Sequence, residues 1–283
     1  MSDDVEIRPL RSPADYAACV ALQRETWGDD FSEVVPPAIL QVAQHVGGVA
    51  AGAFARDGRL LGFVFGLTGV EGGRVVHWSD MLAVRPELRD QGLGRRLKAW
   101  QRDAARDAGA EVMYWTFDPL VARNAHLNVN RLGARPHHYV EDMYGESDSV
   151  LHQGLGTDRL ILAWPLVAAP PDSRCPDGDL AALPPVLRHA PLVHDHDASP
   201  DDDRPDALVV AERPAAVRIA VPLDVHARLA ADPADARRWR HETRHAWQWV
   251  LGAGYALTGF CRDRGEGLGW YLLERTPVDL SSE

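Results

Sequence analysis

The stretch Met81-Leu82-Ala83-Val84-Arg85-Pro86-Glu87-Leu88-Arg89-Asp90-Gln91-Gly92-Leu93-Gly94-Arg95-Arg96-Leu97-Lys98 decides the fold. It is the end of a strand, a glycine turn and the start of a helix. The strand reads from Arg74 to Val84 and stops at Pro86. The helix places Leu93, Leu97, Trp100, Ala104 and Ala108 on one face, and Gly109 stops it. A glycine turn feeding a helix N-terminus aims unpaired N–H groups at one point, and the helix dipole adds positive potential there. Glycine at 92 and 94 removes Cβ atoms that would hold a phosphate off the backbone. From Arg85 to Arg102 six basic residues face two acids, in a chain whose formal charge is −11. Together these parts suit a pyrophosphate. The turn is neither G-x-x-x-x-G-K-[ST] nor a G-x-G-x-x-G after the first strand, so neither a P-loop nor a dinucleotide fingerprint is present.

Outward from this stretch the pattern alternates. Val5–Arg8 reads as a strand, and Ser12-Pro13-Ala14-Asp15 caps a first helix. A second helix follows Pro36-Pro37. Asp57-Gly58 turns the hairpin Gly48–Arg56/Arg59–Thr68. After the central helix come a strand at Glu111–Phe117, a helix near Ala122–Leu132, and strands near His137–Tyr144 and Arg159–Leu166. Residues 168–216 hold nine prolines and little periodicity, and read as a linker or irregular crossover. Beyond them lies β-α-β-β: a strand at Val217–Val221, a helix opened by Asp232-Pro233-Ala234-Asp235, and strands at Tyr255–Phe260 and Leu268–Leu273.

The order β-α-α-β-β-β-α-β-α-β-β over about residues 5–166, with R-x-x-G-x-G coming late, after the hairpin and the strand that follows it, resembles the GNAT superfamily of CoA-dependent N-acyltransferases. Met81–Pro86, Asn124-Ala125 and Leu132-Gly133-Ala134 strengthen the resemblance. Trp115–Leu120, Arg123–Ala125, Thr157-Asp158-Arg159 and Trp239-Arg240…Thr243-Arg244 resemble a subgroup with an extra C-terminal unit, some of whose members resemble amino-acid N-succinyltransferases found beside N-acylamino-acid racemases. The resemblance implies an α+β GNAT fold: a mixed, mostly antiparallel sheet with flanking helices, plus the small C-terminal β-α-β-β unit. It divides the chain into an acyltransferase domain (1–167), the Pro/Asp-rich linker (168–216) and an accessory unit (217–283) that packs on the first domain or a partner subunit.

The implied reaction moves an acetyl or succinyl group from acyl-CoA to a primary amine, preferably an amino acid, by direct attack. Two other readings stay open: a non-catalytic CoA-binding module, and a protein acetyltransferase. The family implies that backbone N–H groups of Gln91, Gly92, Leu93, Gly94 and Arg95 hold the pyrophosphate, with Arg89 supplying field. Leu82, Ala83 and Val84 line the pantetheine arm, and Asn124 hydrogen-bonds it. Trp115–Phe117 splays from Trp78–Val84 to leave a slot for that arm.

The chemistry needs a base for the amine and a proton for the thiolate. Asp80 is the candidate base, on the Leu82/Val84 side of an unbulged strand; the alternative is a carboxylate that only fixes its neighbours. His77 is a second candidate base, on the opposite parity unless a bulge intervenes. Many family members carry an acid tyrosine where this chain has Val129, so Tyr144 on the late strand is the candidate substitute. Arg159 is a candidate partner for an acceptor carboxylate, and Glu25 and Trp27 sit where acceptor sites are walled.

Charge and cysteines bound the rest. The net anion argues against nucleic-acid and membrane partners. Three distant cysteines offer no disulfide framework or metal motif, which points to the cytoplasm. His194-Asp195-His196-Asp197 with Asp201-Asp202-Asp203 is expected to be a solvated acidic loop with no metal. Trp239 and Trp247 are expected in a core, and the C-terminal unit suggests a homodimer. Lys98 is the only lysine, and no function is attached to it.

Overall fold

The computed structural model describes residues 5–145, 154–167, 173–175, 177–194, 196 and 206–275. The chain divides into two compact units. One comprises 1–115 with 149–151 and 165–169; the other comprises 116–148, 152–164 and 170–283.

The first unit is built on strands β1 (Glu6–Pro9), β2 (Val49–Phe54), β3 (Leu60–Glu71), β4 (Arg74–Val84) and β5 (Val112–Phe117), of which β5 contributes its residues up to Trp115. Successive strands β1 to β4 pair antiparallel, and β4 pairs parallel with β5, so the sheet is mixed. Alternating side chains bury both faces. Ala50, Phe54, Phe63, Phe65, Met81 and Ala83 meet α1 (Pro13–Trp27) and α2 (Pro37–His45) through Cys19, Leu22, Leu40 and Ala43. Val49, Ala51, Ala53, Leu61 and Val64 meet α3 (Leu93–Asp107) through Leu93 and Leu97. The Ser12 hydroxyl and the Asp15 carboxylate form a capping box that starts α1.

In the second unit, α4 (Ala122–Ala125) runs on into a π-helical turn, His126–Arg131. Strands β6 (Arg135–Val140) and β7 (Arg159–Pro165) pair antiparallel. The short helices α5 (Pro185–Arg188) and α6 (Ala207–Glu212) lie in the proline-rich stretch. Then follow β8 (Ala216–Pro222), α7 (Val225–Ala231), α8 (Pro233–Gly252), β9 (Tyr255–Asp263) and β10 (Leu268–Arg275), with a separate sheet in the order β8-β10-β9. Trp247 is fully buried in this unit, edge-on to Tyr271.

Two expectations are corrected here. Cys175 and Cys261 form a disulfide, with Cα atoms 6.2 Å apart across 86 residues of sequence. The described part of the proline-rich stretch makes this possible. Cys175, Leu183, Leu187 and Ala190 pack with Ala216, Cys261 and Leu272 in one apolar cluster. Pairing by such a fold-back leaves no mark in cysteine spacing. His194 and His196 are also not solvated: both are enclosed, and His196 lies flat on Trp239, ring centroids 3.8 Å apart. Its two ring nitrogens meet Glu242 at 2.6 Å and Asp235 at 2.7 Å, carboxylates of α8 that the local sequence of the loop does not reveal. Asp195, Asp197 and Asp201–Asp203 lie outside the described residues.

Candidate functional site

The site in the first unit begins where β4 and β5 part. Their pairing runs Val76↔Val112, His77↔Met113 and Trp78↔Tyr114 and ends there, while β4 continues to Val84. The two strands therefore fork. Leu82 and Val84 lie beyond the fork point and pack with Leu93 and Leu97 of α3; Ala83 is buried on the α1 side. Gly94, in the first turn of α3, lies against them: a Cβ there would stand 3.5 Å from Leu82 Cδ2.

Helix α3 starts without a side-chain cap. Its N-cap is Gly92, in the left-handed region at φ +81°, where a side chain would be strained. A Cβ at Gly92 would meet nothing within 4 Å. The first-turn N–H groups of Leu93, Gly94 and Arg95 are thus at a helix start that no side chain occupies. Gln91 and Arg95 are exposed, and Arg89 Nε bonds the Val84 carbonyl at 3.2 Å, tying the glycine turn to the end of β4. These are the features a pyrophosphate and an extended arm require, so the chain's residues fit a CoA thioester.

Asp80 stands at the fork, and its position corrects the parity argument. Phe65 pairs with Met81 and Gly66 with Ser79, so Asp80 is the extra residue of a bulge. Past the bulge the faces exchange. His77 and Ser79 share the α3 side with Leu82 and Val84, and Asp80 does not. Strand parity fails wherever one residue is inserted. The Asp80 carboxyl keeps solvent access. Desolvation first, then Glu33, raises its pKa, against a hydrogen bond from Trp78.

On the α3 side a chain of hydrogen bonds runs through buried groups. Lys98 Nζ donates to Ser79 Oγ at 2.7 Å, and Ser79 Oγ donates to Gln101 Oε1 at 2.7 Å. Gln101 Nε2 meets His77 Nε2 at 3.1 Å, and His77 Nδ1 meets Thr68 Oγ1 at 3.0 Å. Thr68 donates to the Gly47 carbonyl at 2.6 Å. Because Thr68 spends its proton on Gly47, it accepts from His77 Nδ1–H, and Nε2 then accepts from Gln101. Burial, and after it Lys98, pushes the His77 pKa down to about 4, so this histidine is a neutral structural link. Lys98 Nζ also sits 4.0 Å from the Trp115 ring centroid. Burial pushes its pKa down to about 7. The sequence stripe missed this group because the buried face of α3 is Leu93, Leu97, Lys98, Gln101 and Ala105, rotated from the wholly apolar one. The i, i+3, i+7 spacing of Lys98, Gln101 and Ala105 was the available signal.

On the α1 side, Glu25 pairs with Arg85 through both carboxylate oxygens at 2.7 and 2.8 Å. Trp27 stacks on Phe31 with centroids 5.5 Å apart and meets Phe63 edge-on at 6.1 Å.

The remaining expected site residues lie in the second unit. Asn124 is exposed on α4, and Val129 is fully buried in the π-helical turn. Tyr144 lies in a turn beyond β6 rather than on the strand. Its hydroxyl meets Thr116 Oγ1 at 3.1 Å, and its backbone N–H donates to Thr157 Oγ1 at 3.1 Å. The Arg159 guanidinium lies 5.3 Å from the Tyr144 ring centroid and donates to the Asp158 carbonyl at 2.8 Å.

The segments that carry the subgroup resemblance converge in this unit. Arg240, 2% exposed, grips both oxygens of Asp118 at 2.9 and 2.5 Å and donates to the Leu155 carbonyl at 2.8 Å. Arg244 grips both oxygens of Asp158 at 2.8 and 2.7 Å. Tyr139 also donates to Asp158, and Glu141 pairs with Arg244. Burial works to raise both aspartates, but their arginines outweigh it and leave both carboxyls below the usual range. Sequence alone shows these residues only as separate motifs.

Residues 16–156 match the acetyltransferase (GNAT) family. No curated protein sequence matches the chain. Similar solved structures include yncA from Salmonella typhimurium with its cofactor acetyl-CoA: 22% identical, covering 60% of this chain and 99% of that one, TM-score 0.45. The Escherichia coli ribosomal-protein-S18-alanine N-acetyltransferase is 18% identical, over 58% and 96% of the two chains, TM-score 0.44. An aminoglycoside 6'-acetyltransferase type Ii is 16% identical, over 59% and 99%, TM-score 0.46.

Proposed function

We propose that the chain, whose residues 16–156 match the acetyltransferase (GNAT) family, is an acyl-CoA-dependent N-acyltransferase whose acceptor is the amino group of a small amino acid, with acetyl- or succinyl-CoA as donor. What supports CoA use is one observation: the uncapped N-terminus of α3 stands beside the fork between β4 and β5. In this reading Gln91–Arg95 hold the pyrophosphate through backbone N–H groups, and Leu82–Val84 line the arm. Residues 1–167 act as the acyltransferase domain, and 217–283 as an accessory unit whose Arg240 and Arg244 brace Asp118 and Asp158. The choice of an amino acid rests on the subgroup resemblance of 115–120, 157–159 and 239–244.

Asp80 takes the proton of the attacking amine. An accessible carboxylate whose pKa desolvation raises is suited to that task, since a base works best near the operating pH. Thiol release from acetyl- and succinyl-CoA, measured against a panel of amino acids and peptides, tests the acceptor. Turnover with free amino acids is expected; turnover with peptides alone would replace this reading by a protein acetyltransferase. Asp80→Asn is expected to lower kcat by about 10²-fold while leaving CoA binding in place. An unchanged kcat would return Asp80 to a structural role.

A further inference from the structure

Lys98 is a buried cation that nothing in the reading above uses. Its Nζ is held by Ser79, the first β4 residue past the last paired position, and lies against Trp115, the first β5 residue past it. The chain's only amine-bearing side chain therefore caps the closed end of the fork. It reaches there from the α3 side, while Asp80 belongs to the other side, where Glu33 is its charged neighbour.

We propose that Lys98 Nζ is the proton donor to the thiolate that leaves in acyl transfer. The proposal rests on the placement of the CoA arm in the fork. As the new C–N bond forms, the C–S bond breaks and its electron pair stays on sulfur. Asp80 removes one proton from the amine nitrogen. Lys98 Nζ gives one proton to sulfur, becomes a neutral amine and is reloaded from solvent between turnovers. The Lys98-Ser79-Gln101-His77-Thr68-Gly47 chain donates in one direction from end to end, so Ser79 accepts from Nζ in either protonation state and keeps it aimed at the fork.

The ionisable surroundings of Nζ are few. β4 brings His77, neutral near pH 7, Asp80 at the bulge and Arg74 at its far end. β2 brings none, β3 only Glu71 at its far end, and β5 only Tyr114, which donates to Glu71. On α3 itself, Arg95 and Arg102 lie about one turn away on either side. Among these described neighbours no carboxylate pairs with the amine, which leaves it poised to lose its proton.

Because the chain has one lysine, labelling lysine side-chain nitrogen with 15N gives a single resonance to follow. Titrating CoA into the wild type is expected to shift that resonance and its midpoint pH; thermal unfolding measured in parallel reports whether CoA binds at all. Lys98→Met removes the proton, and Lys98→Arg keeps the charge but cannot release a proton. Both are expected to bind CoA like the wild type, lose about 10²-fold in kcat, and lose the alkaline limb of the pH–kcat profile. CoA binding without movement of the lysine resonance would overturn the role of Lys98 and leave the CoA site standing, even if neither variant folds. Retention of rate and profile in Lys98→Met would do the same. No CoA binding by the wild type would overturn both.

Discussion

The fork in the first unit and the α8 side of the second unit desolvate charge in opposite ways. At the fork, Lys98 is enclosed against a hydroxyl and an indole, and Asp80, which keeps solvent access, is partly desolvated and meets an indole N–H and a like-charged neighbour. Both pKa values move toward neutrality. In the second unit every named charge meets its opposite: Arg240 holds Asp118, and Arg244 holds Asp158. There the carboxyls move down, away from neutrality. Desolvation is common to both regions, so the partner decides the outcome. Groups without a countercharge are ready to exchange protons, and groups with one are fixed in place. The first arrangement suits chemistry and the second suits holding segments together.

The comparison breaks most visibly at Arg240. Arg240→Met leaves buried Asp118 with Arg159, 3.9 Å away, as its remaining countercharge, and should cost about 3–5 kcal/mol in unfolding free energy by urea titration. A loss below about 1 kcal/mol would mean that the pair behaves like an exposed salt bridge.

The pH dependence sharpens the contrast, with opposite signs. Lys98 has its folded pKa depressed to about 7, so the unfolded chain binds more protons between about pH 7 and the ordinary lysine range. Its contribution makes stability rise with pH in that window, by up to ~1.4 kcal/mol per pH unit. Denaturant titrations at pH 7, 8 and 9 should show this slope in the wild type beyond that of Lys98→Met; equal slopes would place the charge in solvent. The depressed carboxyls Asp118 and Asp158 act at the other end. Their contribution is present above the ordinary carboxylate range and is lost as pH falls through the folded values.

Gly66 gives a smaller effect. A Cβ there would lie 2.6 Å from the Trp78 carbonyl and 2.7 Å from Gln101 Nε2. Gly66→Ala should cost about 1–3 kcal/mol and disturb the chain that aims Lys98, lowering kcat more than it weakens CoA binding. Unchanged kinetics would show that the chain carries no part of the rate.

Much of the fold was legible because its signals are local. Pro86, the Gly92–Gly94 turn and the Asp57-Gly58 hairpin are punctuation a few residues long, and β4 runs over the expected Arg74–Val84. The site was less legible because its deciding features are not local. The bulge at Asp80 depends on how β4 registers against β3. Lys98 looked like one more base in a basic stretch until α3 was packed. The Cys175–Cys261 bond and the bonds from Asp235 and Glu242 to His196 join positions far apart in the chain. The aspartates at 118 and 158 stand in the sequence as family-like motifs, with nothing in their spacing to say that α8 grips them.

The most direct test of the account is thermal unfolding with and without CoA, for the wild type and for Gly92→Trp. A ligand at 100 times its Kd adds about 2.7 kcal/mol of stability, so a clear rise in Tm is expected for the wild type and none for Gly92→Trp, whose indole would cover the first-turn N–H groups of α3. No shift at millimolar CoA, or the same shift in both proteins, would contradict the placement of CoA at this helix start.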